Sequence, residues 1–269
     1  MLDRRTLLTA VAALPLAACT TGRLNPASRV VRVATFNIWH DMGNWAARLP
    51  LLVEALRAAD ADVIALQEVL EDAKKGLPNQ ADTLARALGG YSVHFFSTDS
   101  PGAPRRYGNA ILSRLPVLDE ATRKLEPLDD YRTAVRVRVR AYGRPIDVVD
   151  THLAWQDDAG PVRARQVADL FSWLPASGVP LVVTGDFNAP LSDSGLAMLT
   201  SPRFESALPL ASAATTLNPA KGHPNRVIDH IFVERKWFAV TDARIIGNQP
   251  TEGEYPSDHF GVTATLTVR

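Results

Sequence analysis

The sequence predicts one α/β domain with a mixed β-sheet over residues 30–269. Strand and helix patterns alternate in the first half of this range, whereas strand patterns cluster in the second half. This distribution favours a mixed sheet over a purely parallel one. The chain of 269 residues is 46% hydrophobic and 22% charged, which is sufficient for a large core. No Pro/Gly/Ser-rich break divides residues 30–269, so we expect a single domain.

The elements of the first half follow from the spacing of apolar residues. Strand patterns occupy residues 31–36, 62–66 and 91–96, and apolar residues at helical spacing occupy residues 48–59 and 81–88. The Gly89-Gly90 pair ends the second helix. Residues 97–106 contain Pro and Gly and are predicted to form a loop.

The second half of the domain is richer in strands. Strands are predicted at residues 109–113, 133–140, 146–151, 181–184, 228–233, 239–246 and 261–268. A helix is predicted at residues 162–174, and a long polar loop at residues 211–226. Such loops, together with residues 97–106, would form the rim of a site built at the strand ends.

The N-terminal segment has the pattern of an export signal. Arg4-Arg5 precede an apolar stretch, residues 7–18, that is too short to span a bilayer. The stretch leads into Cys19 through Leu-Ala-Ala, which resembles the lipobox of bacterial lipoproteins, and the paired arginines resemble a twin-arginine signal. We expect a signal peptide at residues 1–18 and a lipidated tether at residues 19–29, which would anchor the protein to the cell envelope at its periplasmic face. An ordinary secretory peptide with an incidental cysteine is the alternative.

Charge and cysteine content exclude some functional classes. The formal net charge is zero, so the chain lacks the strongly basic character of many nucleic-acid-binding domains. A local basic groove on a neutral protein is still compatible with a nuclease. Cys19 is the only cysteine, which excludes a disulfide framework and a thiolate metal site.

Polar residues suited to phosphate-ester chemistry follow apolar strand patterns along the chain. They are Asn37, Glu68, His152, Asp186, Asn188, Asp229, Asp258 and His259. Hydrolysis of a phosphate ester with a hard divalent cation needs oxygen ligands, a base for water and donors for the phosphoryl oxygens. Each residue also has a structural alternative, because Glu68 could cap a turn, Asn37 and Asn188 could be turn residues and His152 could be a buried structural histidine.

Other histidines have weaker functional patterns. His230 is assigned to structure, because its neighbour Asp229 is the better-placed partner for another residue. His40, His94 and His223 are given no role.

Asp186 and Asn188 are two residues apart and therefore point to the same side of an extended chain, where they could hold a water molecule and a phosphoryl oxygen together.

Seven segments resemble, in order, the signatures of the endonuclease/exonuclease/phosphatase superfamily, which has the deoxyribonuclease I-like fold. They are Thr35-Phe36-Asn37-Ile38-Trp39, Leu66-Gln67-Glu68-Val69, Tyr107-Gly108-Asn109-Ala110-Ile111-Leu112-Ser113, Asp150-Thr151-His152-Leu153, Gly185-Asp186-Phe187-Asn188, Arg226-Val227-Ile228-Asp229-His230-Ile231 and Ser257-Asp258-His259. The resemblance covers nearly all of residues 30–269. It implies a four-layer α/β sandwich, in which two mixed β-sheets are flanked by helices and the site lies at one edge.

The resemblance also implies a metal site. Glu68 resembles the main ligand of Mg²⁺, with Asn37 beside it, and Asp258 resembles a residue that supports the metal. Mn²⁺ or Ca²⁺ could take the place of Mg²⁺. Asp186 and Asn188 resemble the pair that positions the attacking water and the phosphoryl group.

The remaining catalytic roles follow from the same resemblance. His259 resembles the general base, oriented by Asp229, and Asp186 is a rival for that role. His152 resembles the histidine that stabilises the transition state and assists the leaving group. Asn109 corresponds to a position that supplies a carboxylate partner for this histidine in several relatives, so its neutral amide puts an acid role of His152 in doubt.

Three functions are compatible with these residues. The first is a phosphodiesterase or nuclease of the cell envelope, and the second is a phosphomonoesterase or a sphingomyelinase-like hydrolase of phospholipid headgroups. The third is an inert lipid-anchored binding protein. The presence of His152, His259, Glu68 and Asp186 argues against an inert binding protein, because binding alone needs no base. We expect a monomer, with a membrane contact through lipidated Cys19 and a phosphate ester of a nucleic acid or phospholipid as substrate.

Overall fold

The computed structural model describes residues 29–176, 178–208 and 215–269, which contain twelve strands and three α-helices. The strands are β1 (Val30–Asn37), β2 (Val63–Asp72), β3 (Ser92–Ser97), β4 (Arg105–Ser113), β5 (Val117–Lys124), β6 (Thr133–Ala141), β7 (Arg144–His152), β8 (Leu181–Asp186), β9 (Phe204–Ser206), β10 (Asp229–Glu234), β11 (Phe238–Ile246) and β12 (Gly261–Val268). The helices are α1 (Trp45–Ala59), α2 (Gln80–Leu88) and α3 (Gly160–Trp173). The predicted signal peptide, Cys19 and nearly all of the predicted tether lie outside the described residues.

The strands form two six-stranded mixed sheets. Their orders are β11-β12-β1-β2-β4-β3 and β5-β6-β7-β8-β10-β9. β1 and β2 run parallel, as do β7 and β8, whereas the other neighbouring strands are antiparallel. Val33 and Val63 of the first sheet pack with Val137 and Val148 of the second in a core between the sheets. The sheets therefore lie face to face.

The helices cover the outer faces of the two sheets. Successive residues of a strand point to opposite faces, so Val63 enters the core between the sheets while Ile64 packs against Leu56 of α1 on the outside. On the other sheet, Leu170 of α3 packs with Val183 of β8. The four-layer sandwich predicted from the resemblance is confirmed. Of the helices in the described residues, none is long and apolar enough to cross a membrane.

Both parallel strand pairs end at the same edge of the sandwich. In the register of the first sheet, Asn37 lies beside Gln67, and in the second sheet His152 lies beside Asp186. Gln67 donates a 2.6 Å hydrogen bond from Nε2 to Asp150 Oδ1, which joins the sheets just behind this edge. The last paired residues of the two parallel strand pairs consequently meet at one edge.

The predicted strands and helices are present, with two additions and two changes of length. β5 and β9 were not predicted from sequence. β5 is an edge strand with many exposed, charged residues, so it lacks an apolar face, and β9 has only three residues. β2 continues past Glu68 to Asp72, and β4 begins at Arg105, which shortens the predicted loop at residues 97–106.

Candidate active site

Side chains from both sheets converge where β1, β7 and β8 end and where the register of β2 shifts. Glu68, His152, Asp186, Asn188 and His259 line one cavity of about 530 Å³. Asn37 and Asp229 lie directly behind it, in hydrogen-bond contact with residues that line it. Residues distant in the chain thus form one cluster, as expected from polar residues at strand ends.

Asn37 joins the carboxylates of the two sheets. Its Nδ2 donates to Glu68 Oε1 at 3.2 Å and to Asp186 Oδ2 at 2.9 Å. Its Oδ1 accepts a 3.0 Å hydrogen bond from the backbone N–H of Trp39, which fixes the orientation of the amide. Asn37 therefore holds Glu68 and Asp186 close together, while its role as a metal ligand stays a prediction.

Glu68 sits at an irregularity of β2. The register between β2 and β4 shifts between Leu66 and Val69, and Glu68 has a φ of 59°. A positive φ is uncommon for a residue with a side chain. Burial raises the pKa of the Glu68 carboxyl, and this effect is opposed by His259 and by the hydrogen bond from Asn37. A buried carboxylate that faces a cavity is stabilised by a cation.

A close approach of two strands fixes the position of Asp186. Gly185 has a φ of 145°, and a Cβ at this position would lie 1.9 Å from the carbonyl oxygen of Thr151. Only glycine can occupy that position, because the clash is with backbone. Asp186 Oδ1 accepts a 2.9 Å hydrogen bond from the backbone N–H of Asn188, whose side chain donates to Leu153 O at 3.1 Å.

His259 and Asp229 form a buried hydrogen-bonded pair. His259 Nδ1 lies 3.0 Å and 3.3 Å from the two carboxylate oxygens of Asp229, and His259 Nε2 lies 3.8 Å from Asp186 Oδ2. Burial by itself would lower the pKa of His259, but the carboxylates of Asp229 and Asp186 raise it well above its ordinary value. The imidazole is therefore oriented by Asp229 and faces Asp186.

His152 approaches Asp186 from another side. Its Nε2 lies 3.4 Å from Asp186 Oδ2. Burial and the charge of Arg132 lower the pKa of His152 to about 3, although Asp186 acts in the opposite direction. His152 is therefore neutral at physiological pH and suited to donating a hydrogen bond. Asn109 is buried and donates to Thr133 O at 3.2 Å, so its role as a partner of His152 stays a prediction.

Asp258 lies beside the cluster and contacts a residue that was given no role. Asp258 Oδ2 is 3.2 Å from His223 Nε2, and Asp258 Oδ1 accepts a 3.3 Å hydrogen bond from Ser257 Oγ. The described part of the predicted loop at residues 211–226 packs here, because Asn218 N–H donates to Asp258 O at 2.9 Å. The metal-supporting role of Asp258 is a prediction that these contacts do not test. His230 Nε2 donates a 2.9 Å hydrogen bond to Ala189 O, and the residue is fully buried.

The cavity also contains residues that sequence reasoning did not select. They are His40, Tyr107, Tyr131, Arg132 and Trp155, together with Thr98, Asp99 and Arg105 at the rim. His40 Nε2 lies 3.9 Å from Glu68 Oε2. Arg132 immediately precedes a strand and Trp155 follows the segment of His152, but neither position by itself carries a signal for function. Only folding brings these side chains to one cavity.

The donor set fits a hard divalent cation. Ligand atoms of Asp186, Asp229 and His259 lie within 4.8 Å of one another, but the hydrogen bond from His259 to Asp229 already accounts for that grouping. Glu68 and Asp186 are bridged by the neutral amide of Asn37, and both carboxylates line the cavity. Carboxylate oxygens are the ligands that Mg²⁺, Mn²⁺ and Ca²⁺ prefer.

A family model matches the chain over the whole site. The model, described as "Endonuclease/Exonuclease/phosphatase family", aligns with residues 34–259. The chain belongs to the endonuclease/exonuclease/phosphatase family. Members of this family hydrolyse phosphoesters and are generally dependent on divalent metals. The resemblance inferred from the seven sequence segments is therefore confirmed.

Curated relatives within the endonuclease/exonuclease/phosphatase family are distant. Uncharacterized protein YbhP of Escherichia coli (strain K12) is 28% identical over 170 residues, which cover 58% of this chain and 66% of the relative. Nocturnin of Rattus norvegicus is 25% identical over 263 residues, which cover 83% of this chain and 59% of the relative. The chain thus spans about two thirds or less of the length of these relatives.

Solved structures of the family share the fold. The human Nocturnin catalytic domain with bound sulfate anion superimposes with a TM-score of 0.74 at 23% identity, covering 90% of this chain and 94% of that domain. TDP2 of D. rerio, complexed with a single-strand DNA product, gives a TM-score of 0.71 at 19% identity, covering 88% of this chain and 98% of that one. At these identities the likeness establishes the fold.

Proposed function

We propose that this chain is a divalent-metal-dependent phosphodiesterase, of the nuclease or phosphodiesterase class, that acts in the cell envelope. One observation carries the proposal. Glu68 and Asp186, from different sheets, share the amide of Asn37 and face the same cavity as His152 and His259. This combination offers oxygen ligands, a proton acceptor and a neutral donor within one site, which is the set that metal-assisted phosphoester hydrolysis requires.

Glu68 and Asp186 would hold the cation, with Asn37 keeping the two carboxylates together. When bound, such an ion neutralises charge on the phosphoryl oxygens and acts as a Lewis acid. His259 Nε2 lies 3.8 Å from Asp186 Oδ2, so these two groups form a unit that can reach the same water molecule. We assign removal of the proton from the attacking water to this unit, with Asp229 holding the His259 ring in orientation through Nδ1.

Neutral donors stabilise the charge that develops on the phosphoryl group. The low pKa of His152, caused mainly by burial, keeps its imidazole neutral, so it donates a hydrogen bond without having to be protonated first. A positioned donor of this kind is worth about 3 kcal/mol in the transition state. Asn188 lines the same cavity and is held by its contacts to Asp186 and Leu153.

The solved structures support a phosphate-ester substrate. The human Nocturnin structure contains a bound sulfate anion, and the TDP2 structure contains a single-strand DNA product. Both ligands carry tetrahedral oxyanions. The shared fold is consistent with a cavity in this chain that accepts a phosphoryl group, although the loops around it set the substrate.

The test compares a diester with a monoester. We expect the protein to cleave bis(p-nitrophenyl) phosphate with Mg²⁺, Mn²⁺ or Ca²⁺ and to lose this activity in EDTA. Cleavage of p-nitrophenyl phosphate should be much slower. The reverse preference would identify a phosphomonoesterase, and activity only on phospholipid vesicles would identify a headgroup hydrolase. Absence of all three activities, with each metal supplied, would favour an inert binding protein.

A carboxylate variant connects the activity to the site. Glu68→Gln keeps the shape of the side chain but removes its charge, so we expect turnover to fall by at least about a hundredfold and the concentration of metal needed for half-maximal activity to rise. Glu120→Gln is the matched control, because Glu120 is exposed and contacts His94 rather than the cavity. Equal activity of the two variants would contradict the proposed metal site.

A further inference from the structure

Arg132 is a buried cation without a hydrogen-bond partner in the part of the chain that the structure describes. Its side chain is only 5% exposed, and its Nε is buried and forms no hydrogen bond. The nearest carboxylate oxygen is Asp130 Oδ2, 3.6 Å from Nε, which is too far for a hydrogen bond. The remaining contact of the guanidinium is the ring of Tyr131, whose centroid is 5.2 Å away.

Other arginines with a buried Nε in the described residues are hydrogen-bonded to a carboxylate through a terminal nitrogen. Arg106, Arg136 and Arg163 each also have a buried Nε without a partner, but their terminal nitrogens donate to Glu71, Asp147 and Asp193, at 3.0, 3.2 and 2.7 Å respectively. Burial of a cation is costly unless it is paired. The contrast indicates that the partner of Arg132 is an anion from outside the chain.

The position of Arg132 is rigid and faces the site. Arg132 lines the same cavity as His152 and Asp186. Its backbone carbonyl accepts a 2.8 Å hydrogen bond from Leu125 N–H, and it directly precedes β6, where Thr133 O accepts from Asn109. The backbone of Arg132 is therefore fixed, and burial of its side chain restricts the rotamers before any ligand arrives, which lowers the entropic cost of binding.

Two exposed aromatic side chains border the same cavity. Tyr131 is 54% exposed and Trp155 is 63% exposed, and both line the cavity with Arg132. Large aromatic side chains usually bury most of their surface. An exposed ring at the mouth of a polar cavity offers a flat apolar surface, which packs well against a planar group such as a nucleobase.

We propose that Arg132, Tyr131 and Trp155 form a recognition subsite for a phosphate ester that carries a planar group, as in a nucleotide. The guanidinium of Arg132 donates two parallel hydrogen bonds to phosphoryl oxygens, a geometry for which arginine is well suited. The rings of Tyr131 and Trp155 pack against the planar group. This subsite rests on the proposed function, because it selects the substrate of the same cavity.

Ligand binding tests the subsite separately from turnover. The affinities of the purified protein for AMP, ribose 5-phosphate and inorganic phosphate are measured by titration calorimetry, once with EDTA and once with Ca²⁺. Arg132→Gln is expected to weaken all three affinities by about tenfold or more. Trp155→Ala is expected to weaken AMP binding selectively, because only AMP carries a base. Arg235→Gln and Tyr142→Ala are matched controls, since both side chains are exposed and lie outside the cavity.

A second variant separates binding from a structural role. If Arg132 served only to pair with Asp130, then Asp130→Asn would reproduce the effect of Arg132→Gln on melting temperature and affinity. The proposed subsite predicts instead that Asp130→Asn keeps or strengthens phosphate binding, because it removes a competing carboxylate. Arg132→Lys, which keeps the charge but loses the planar fork, is expected to bind with intermediate affinity.

Several outcomes would overturn the subsite. The first is that the wild-type protein binds neither AMP nor phosphate, with EDTA or with Ca²⁺. The second is that Arg132→Gln leaves the affinities unchanged. The third is that the wild-type protein binds AMP and ribose 5-phosphate with equal affinity. Cleavage of bis(p-nitrophenyl) phosphate is assayed on the same preparations. If binding depends on Arg132 but the protein has no diesterase activity, the subsite is upheld and the proposed function is contradicted. If the protein is an active diesterase but binding does not depend on Arg132, the proposed function is upheld and the subsite is contradicted.

Discussion

Two residues of the site adopt backbone conformations that side chains normally avoid. Glu68 has a φ of 59° and Asn188 has a φ of 50°. For a residue such as glutamate this region costs free energy, and strain of this kind persists where surrounding structure enforces it. Here the strain turns a carboxylate and an amide toward the cavity. At position 68 the residue type is therefore set by chemistry rather than by backbone preference, whereas asparagine at position 188 adopts a positive φ readily.

His259→Ala should abolish most of the activity without unfolding the protein. The variant removes an imidazole that faces Asp186 in the cavity and belongs to the unit assigned to water activation, so we expect turnover of a phosphodiester to fall by about 10²–10⁴-fold. Turnover and melting temperature are measured together, with His94→Ala as the control, because His94 contacts Glu120 outside the cavity. A folded His259→Ala protein with most of its activity would refute the assignment.

Gly185→Ala should destabilise the protein much more than an ordinary glycine substitution. A Cβ at position 185 would lie 1.9 Å from Thr151 O, so β7 and β8 must move apart. We expect a loss of about 3 kcal/mol in the free energy of unfolding, measured in urea. Gly143→Ala is the control: its φ is also positive, but its Cβ meets nothing within 4 Å, so it should cost about 1 kcal/mol. Equal losses would show that the clash is relieved at little cost.

At the scale of elements, Arg48 of α1 holds together two segments that border the site. Its guanidinium donates to five backbone carbonyls, those of Ile38, Trp39, His40, Met42 and Pro256, at 2.8–3.1 Å. The first four belong to the segment after Asn37, and Pro256 precedes Ser257. One helical side chain thus links the end of β1 to the segment that carries Asp258 and His259.

Arg48→Lys should loosen both segments. Lysine has one charged nitrogen and cannot reach five acceptors, so several buried carbonyls would lose their donors. We expect a loss of about 3 kcal/mol of stability in urea denaturation, together with lower phosphodiesterase activity. Arg57→Lys on the same helix is the control, because Arg57 is exposed and donates only to Ala87 O. Similar stability of the two variants would contradict the linking role.

Strand prediction succeeded where a strand has an apolar face and failed where it does not. β6 has valines at alternate positions, and the prediction at residues 133–140 differs from Thr133–Ala141 by one residue. β5 and β9 lie at opposite edges of the same sheet and gave no such pattern. An edge strand is stabilised by pairing along one side and by charged residues that keep other chains away, so its sequence resembles a loop.

At the scale of the whole molecule, a buried side-chain hydrogen bond between Gln67 and Asp150 helps to join the sheets behind the site. Gln67 of β2 donates to Asp150 of β7, and Asp150 Oδ2 and Gln67 Oε1 are buried without partners in the described residues. Burial raises the pKa of Asp150 well above its ordinary value, although the hydrogen bond from Gln67 acts in the opposite direction. Asp150 therefore retains its proton in the folded protein at pH values where the unfolded chain releases it.

Asp150→Asn should change the pH dependence of stability. Because the folded state keeps a proton that the unfolded chain loses above about pH 4, wild-type stability falls as pH rises from there toward the folded pKa of Asp150. The asparagine side chain of the variant does not titrate, so the stability of the variant relative to wild type should increase over this range. Urea denaturation at several pH values measures the difference, with exposed Asp158→Asn as the control. A difference that is independent of pH would contradict the raised pKa.

The proposed attachment to the cell envelope rests on Cys19, which lies outside the described residues. If Cys19 is acylated, the wild-type protein should fractionate with membranes and incorporate labelled palmitate. Cys19→Ser should be exported without the label and should be recovered in the soluble fraction. Membrane association of Cys19→Ser equal to that of the wild type would refute lipid anchoring.

The sequence by itself determined the fold family and the chemical nature of the site. Apolar periodicity predicts strands and helices because burial requires it, and the ordered segments around Glu68, Asp186 and His259 are short-range patterns that can be recognised without knowing the fold. These patterns were sufficient for the family, which the match over residues 34–259 confirms.

Only the tertiary structure decided which side chains share the cavity. Arg132 and Trp155 belong to separate segments, and nothing in their local sequence marks them, because a cavity wall is created by the packing of two sheets rather than by a continuous run of residues. The protonation of the site histidines is likewise decided by the tertiary structure. The low pKa of His152 and the high pKa of His259 arise from burial and from neighbours contributed by other strands, so they exist only in the folded protein.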